Sequence, residues 1–344
     1  AGRFRAADLC AQGRGGALMA PSTAADAARP TAACATPLVF TKHTKRGDKT
    51  YAAPVLSAPL FDTHAHLTCF WTKDPVEVLT RAEAAGVTAL VTLFDPLGDD
   101  MPLAAYREQL RGWLDSARAA GSTLADRVRY LVGAHPYGAP DYTDATHAVL
   151  EEALADPLCA GIGEIGLDYH YDADDDIAAA PHDVQMAVMA RQLALAVARD
   201  VPVELHLRND AGDEARAAHA DAYRVLAQVG VPRAGCVLHC FGEDRATMER
   251  FLELGCHIAF GGAATFKRNE HIREAFAACP RERLLFETDC PYMAPEPIRG
   301  LECEPAMIVF TADALARDRA ARTGEDPDVI VRAAWDNACR LFFR

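Results

Sequence analysis

Eight short, mostly hydrophobic runs recur along this 344-residue chain, at 59–64, 87–94, 129–135, 159–164, 201–207, 236–241, 256–261 and 283–289. Between and after them lie amphipathic stretches with helical spacing, near 75–85, 103–120, 143–155, 183–199, 213–229, 244–254, 269–278 and 303–319, with a last helix over 327–342. Strands that are apolar throughout, without polar alternation, suit a parallel sheet covered on both faces. Regular β–α alternation of this length predicts the α/β class and a (β/α)8 TIM barrel. A doubly wound open sheet also alternates, but its nucleotide site needs a glycine fingerprint after the first strand. That place holds Thr63-His64-Ala65-His66 instead.

In a barrel the C-terminal ends of the strands converge on one mouth, where active sites are built. The polar residues at those ends are His64 and His66 after the first run, His135 after the third and Glu164 after the fourth. His206 and Arg208 follow the fifth, His239 the sixth and Asp289 the eighth. Residues i and i+2 of a strand point to the same side, so His64 and His66 can reach one metal ion through neutral imidazole, a common metal ligand. Singly, His206 or His239 could be a satisfied core histidine, and Glu164 could cap a helix. Together, six nitrogen and oxygen donors aimed at one mouth suit a pair of divalent ions bridged by Glu164, since one zinc needs only three protein ligands and a water. With no thiolate in the set, Mg, Mn and Zn all remain open. Asp289 would bind metal and take the proton of an attacking water.

Charge and cysteine usage bound the partners. A net charge of −14 argues against a broad basic surface that coats nucleic acid, though a metal and a few arginines can supply a local positive field. Arg208, two residues beyond His206, projects to the same side, and Lys267 and Arg299 fall in loops after the seventh and eighth strands. Phe70, Trp71 and Tyr169 are candidates for stacking bases. The 11 cysteines are an odd number, widely spread and without a Cys-x-x-Cys pair, which reads as a reduced, cytoplasmic protein. Cys236 and Cys240 flank His239, and core packing accounts for them better than a thiolate site. No apolar run is long enough to span a membrane. Residues 1–36, alanine-rich and aperiodic, read as a disordered leader or as sequence ahead of a start at Met19. Residues 37–58 read as an extension with a hairpin turning at Gly47, and 59–344 as the hydrolase barrel.

The chain resembles the TatD family of metal-dependent deoxyribonucleases. The resemblance is carried by Asp62-Thr63-His64-Ala65-His66, Gly133-Ala134-His135-Pro136, Gly163-Glu164-Ile165-Gly166-Leu167-Asp168-Tyr169 and His206-Leu207-Arg208. It continues through His239-Cys240-Phe241, Thr265-Phe266-Lys267, Glu287-Thr288-Asp289-Cys290-Pro291-Tyr292, Arg299-Gly300, Glu304-Pro305-Ala306 and Asn337-Ala338. It implies metal ligands His64, His66, Glu164, His206, His239 and Asp289, two divalent ions, and hydrolysis of DNA phosphodiester bonds at ends or in single strands. Asn209-Asp210 departs from the family's pattern, and acidic 172–176 reads as an insertion after the fourth strand. An amide, ester or lactone hydrolase on the same barrel is the competing expectation. Glu164 weakens it, because many such relatives carry a carboxylated lysine there. A non-catalytic binding scaffold is disfavoured by the retained ligand set.

Overall fold

The computed structural model describes residues 38–170 and 178–344, so the expectations for 1–36 and for the acidic segment 172–176 lie outside the described residues. Strands β3 (Leu60–Ala65), β4 (Val87–Phe94), β5 (Val128–Val132), β6 (Cys159–Asp168), β7 (Val203–Arg208), β8 (Cys236–Leu238), β9 (His257–Phe260) and β10 (Leu284–Phe286) form one parallel sheet in sequence order. A parallel bridge between Ala65 and Cys290 and the bond from Asp289 N–H to His64 C=O (3.0 Å) join the first strand to the segment after the last. The fold is the (β/α)8 barrel that the alternation predicts. Ahead of it stands an antiparallel hairpin of β1 (Val39–Thr44) and β2 (Gly47–Ala52). Its turn is Lys45-Arg46, and Gly47 closes it at φ +104°, a conformation side chains resist.

Helices α1 (Pro75–Ala84), α2 (Leu103–Ala119), α3 (Asp144–Ala153), α4 (His182–Arg199), α5 (Ala217–Val229), α6 (Arg245–Glu253), α7 (Glu270–Ala278), α8 (Ile308–Thr323) and α9 (Pro327–Phe342) accompany the strands. Local chemistry sets their ends: Asp74 accepts from the N–H groups of Val76 and Glu77, and Pro75 occupies the first turn of α1, where its missing N–H costs nothing.

Apolar side chains pointing into the barrel, among them Phe61, Val91, Leu131, Val237 and Leu285, pack with Leu341 and Phe342 of α9. Phe61 meets Phe342 and Phe343 at ring distances of 5.9 and 5.5 Å, so the N-terminal end is plugged by hydrocarbon. Only the other end is left for polar chemistry. Three boundaries differ from the sequence reading in a way that matters there. β5, β8 and β10 stop at Val132, Leu238 and Phe286, which puts His135, His239 and Asp289 on the turns just past the strands. Those turns curl over the mouth, and Asp289 sits at φ +58°, in the left-handed region that Asp visits more readily than most residues.

Candidate metal centre

Two features of β6 set the position of Glu164. The register of β6 against β7 shifts between Ile162 and Ile165, and such irregularities re-aim a side chain. At Gly166 an added Cβ would lie 2.0 Å from His206 O, so only glycine lets the two strands approach closely enough to bring Glu164 beside His206. The carboxylate of Glu164 then faces donors on both sides. Its Oε2 lies 3.7 Å from His64 Nε2 and 3.8 Å from His66 Nε2. Asp289 Oδ1 lies 3.7 and 3.6 Å from the same two nitrogens, which are 3.0 Å apart. Ligands at ~2.0–2.2 Å from one tetrahedral ion would be separated by roughly 3.3–3.6 Å, so His64, His66 and Asp289, with donor atoms 3.0, 3.6 and 3.7 Å apart, have the dimensions of a single cation site. The other oxygen, Oε1, lies 2.7 Å from His206 Nδ1 and 2.8 Å from His239 Nε2, and these nitrogens are 3.3 Å apart. Two donor sets therefore share one carboxylate, one oxygen each. The residues fit divalent ions in their donor chemistry: imidazole nitrogen and carboxylate oxygen, without sulfur. Cys240 belongs to none of the candidate ligand groups among the described residues, and burial and then the Asp289 charge hold its thiol well above the usual range.

Electrostatics separates the site into layers. Burial alone would raise Glu164 and Asp289, but the neighbouring histidines win and hold both carboxyls below their ordinary range. Burial would likewise lower His206, yet its bonds to Asp168 and Glu164 lift it to about 10. Deeper in the barrel, Glu204 and Glu287 are fully buried, and burial followed by repulsion from neighbouring carboxylates pushes both well above the usual range. Glu204 Oε1 is 2.7 Å from His64 Nδ1. His206 Nε2 bonds Asp168 Oδ2 at 3.0 Å. Glu287 Oε1 accepts from the N–H of Cys240, next to His239. Partners such as Glu204 and Asp168 fix which nitrogen of an imidazole carries the hydrogen.

Sequence reasoning passed over Glu204 and Asp168. A signal existed for Glu204: it is a charge inside an apolar run, two residues before His206 and so on the same side of the strand.

The cationic candidates spread out. His135 joins the cluster, its ring 4.5 Å from that of His206, and burial followed by the His206 charge pushes it down to about 3. Its Nδ1 accepts from the N–H of Tyr137 (3.2 Å), leaving the hydrogen on Nε2. Arg208 Nη1 lies 3.9 Å from Asp168 Oδ2 at the edge of the site. Lys267 is exposed, and Arg299 is exposed with its guanidinium 4.1 Å over the Phe266 ring. Of the stacking candidates, Tyr169 is a correction. It is 4% exposed, stacked at 3.4 Å on His182 and bonded through its hydroxyl to Asp221, so it packs the wall. Trp71 is 63% exposed. Asn209, the departure after β7, donates to Glu243 and accepts from the N–H of Ala218, which makes it a tie between loops.

Residues 61–343 match the family model described as TatD related DNase. An uncharacterized metal-dependent hydrolase, YabD of Bacillus subtilis, is 32% identical over 82% of this chain and 98% of its own length. An uncharacterized metal-dependent hydrolase TatD of Mycobacterium tuberculosis is 34% identical over 82% and 97%. The 3'-5' ssDNA/RNA exonuclease TatD of Erwinia billingiae is 29% identical over 82% and 98%. Among solved structures, the TatD homolog YjjV of Escherichia coli superposes with a TM-score of 0.65 at 26% identity, covering 83% of this chain and 98% of that one. With the barrel, the shared-carboxylate cluster and a match over most of its length, the chain belongs to the family of TatD-related DNases.

Proposed function

We propose that this protein is a metal-dependent hydrolase of DNA phosphodiester bonds, acting at ends or in single strands, with two divalent ions at the barrel mouth. The observation that carries this reading is Glu164, whose two carboxylate oxygens each face a separate donor set. His64, His66, Glu164 and Asp289 would hold one ion, and Glu164, His206 and His239 the other. Mg, Mn and Zn all suit the set. Ions held there would supply positive charge for the oxygens of an in-line displacement and would lower the pKa of a water.

This chain's residues supply the rest. Asp289, kept ionised beside three histidines, accepts the proton of the attacking water at its carboxylate. Glu204 and Asp168 hold His64 and His206 in place from behind. Neutral His135, with its hydrogen on Nε2, is a donor toward a phosphate oxygen rather than a seventh ligand. Arg208 presents a planar guanidinium suited to phosphate, and Lys267 and Arg299 stand farther out for the flanking backbone. Nine free cysteines among the described residues suit a reducing, cytoplasmic setting. Among the described residues no helix is long and apolar enough to cross a membrane.

The test is the purified protein, stripped and reloaded with each metal in turn, against end-labelled single-stranded DNA and against a panel of esters, lactones and amides. Release of nucleotides from DNA that stops with a chelator and returns with metal is the expected result. Turnover of an amide or lactone with no cutting of DNA would replace the reading with the amidohydrolase one, and metal binding with no turnover at all would make the barrel a scaffold.

A further inference from the structure

We propose that the β1–β2 hairpin, together with the aromatic side chains between it and the metal centre, is a binding track for single-stranded DNA. This deepens the DNA-hydrolase reading above and rests on it. In a chain of net charge −14, residues 42–49 invert the sign: Lys42, Lys45, Arg46 and Lys49 stand with a single acid, Asp48. That acid is already engaged, 2.7 Å from His43. Lys45, Arg46 and Lys49 are exposed, and among the described residues their side chains have no ion-pair or hydrogen-bond partner. Lys42 pairs directly across from Lys49. Like charges in that arrangement weaken a hairpin, and a bound polyanion would turn the repulsion into attraction.

The hairpin's register aims these cations. Phe40, Lys42, Tyr51 and Lys49 share one face. Phe40 anchors that face on the barrel body, 5.6 Å from the Phe310 ring and under the guanidinium of Arg81. Farther along the same face, Lys42 donates to the main-chain oxygen of Arg299, which ties the hairpin to the mouth loop after β10.

Between this patch and the metal centre runs an aromatic series. The His66 ring is 6.1 Å from Tyr292, and Tyr292 is 6.3 Å from Trp71. Tyr292 and Trp71 are 46% and 63% exposed. Glu302 holds the Trp71 segment in place by accepting its N–H at 2.5 Å, and a cleft lined by Thr41, His43, Thr72 and Glu302 connects that segment to the hairpin. Cations for phosphates and rings for bases are the two components of a single-strand site. The rings step inward toward the metal ligands rather than outward beside the lysines, which suits a threaded strand better than a membrane surface. The family model begins at residue 61, so the hairpin is an addition of this chain to the matched barrel.

The test compares the full metal-loaded protein with the triple variant Lys45→Ser, Arg46→Ser, Lys49→Ser. The probe is a fluorescent, uncleavable phosphorothioate oligo-dT of about a dozen residues, within the usual span of a single-strand site. The triple variant should bind about tenfold more weakly at low salt, and the slope of log K against log salt should fall by about 2, near 0.7 for each lost phosphate contact. Trp71→Ala should weaken binding about tenfold and leave that slope alone, because stacking releases no counterions. Unchanged affinity and slope in the triple variant would overturn the proposal. So would loss of binding to phosphatidylserine vesicles with oligo-dT binding intact, which would make the patch a membrane contact. If the triple variant melts early, the variant Lys45→Arg, Arg46→Lys, Lys49→Arg decides: retained binding and slope support the track, and loss of either overturns it. Wild-type protein that binds the probe but leaves ordinary DNA uncut would overturn the hydrolase reading and not this one, whereas normal cutting with equal binding by the triple variant overturns this one alone.

Discussion

Two pairs of buried carboxylates lie within one barrel, and their surroundings drive them opposite ways. Glu164 and Asp289, at the mouth, are held ionised; Glu204 and Glu287, one layer deeper, are pushed toward the neutral acid. Burial acts on all four alike, raising each. The difference is in the company. The mouth pair is ringed by imidazoles from β3, β7 and the turn after β8, whereas in the deep pair Glu204 bonds one imidazole, His64, among the described residues, and the repulsion of neighbouring carboxylates adds to burial. A buried charge survives only where opposite charge or a metal compensates it. The upper pair is thus equipped to act as charge, while below it Glu204 accepts from His64 and Glu287 accepts from the Cys240 N–H beside His239. An uncharged amide of the same shape should distinguish them.

The largest effect is expected at Glu164. Removing the charge at the centre of a buried constellation costs about 3–5 kcal/mol, so Glu164→Gln should lose ~10²–10⁴-fold in ion affinity at both donor sets and fall to background cleavage. Metal analysis that finds two ions still bound would refute the bridging role.

Asp289→Asn comes next. It should bind DNA almost normally and cut at least ~10²-fold more slowly, as loss of a general base does. Near-normal cutting by this variant, with Glu287→Gln inactive, would reverse the two layers.

In the deep layer the amide should be tolerated. Glu204→Gln keeps an acceptor for His64 Nδ1–H, so ion affinity should stay within a few-fold. Glu204→Leu removes the acceptor and should cost about 10–100-fold, the usual range for an outer partner of a ligating histidine. Isothermal titration with Mn or Zn separates the two, and equal losses would mean that Glu204 acts through its charge after all.

The smallest expected effect is a slope. Without metal, His206 titrates near 10, above its ordinary value, and is protonated at neutral pH. An ion must displace that proton, so its affinity should climb about tenfold per pH unit and level off near pH 10. By the same sign, the stability His206 lends the metal-free fold is present below its ordinary pKa of 6.5 and is lost as pH rises through about 10. Chelator competition between pH 6 and 10 measures the slope, and a flat profile would remove His206 from the donor set.

How much of this was legible beforehand varies by residue. His64, His66, Glu164, His206, His239 and Asp289 stand out in the sequence because each breaks or ends an apolar run, and a parallel barrel gathers the ends of its strands at one mouth whatever the loops do. The hairpin was legible for a similar reason, through Gly47 between two strand-like runs. Those readings depend on local periodicity and on a topology with few alternatives. Glu204 was hidden because a strand buried on both faces gives no alternation to say which side chains point inward. Tyr169 was misread because whether an aromatic after a strand faces the mouth or the wall depends on what packs beside it, here His182 and Asp221. The sequence by itself determined the barrel, its strand order and the six donors at its ends. Only the tertiary structure decided that the two oxygens of Glu164 face different histidine pairs, that the surroundings drive the mouth and deep carboxylates in opposite directions, and that the hairpin rests beside Arg299. Each of these depends on distances between residues far apart in the chain, and a sequence pattern records the facing of a side chain but not its neighbours.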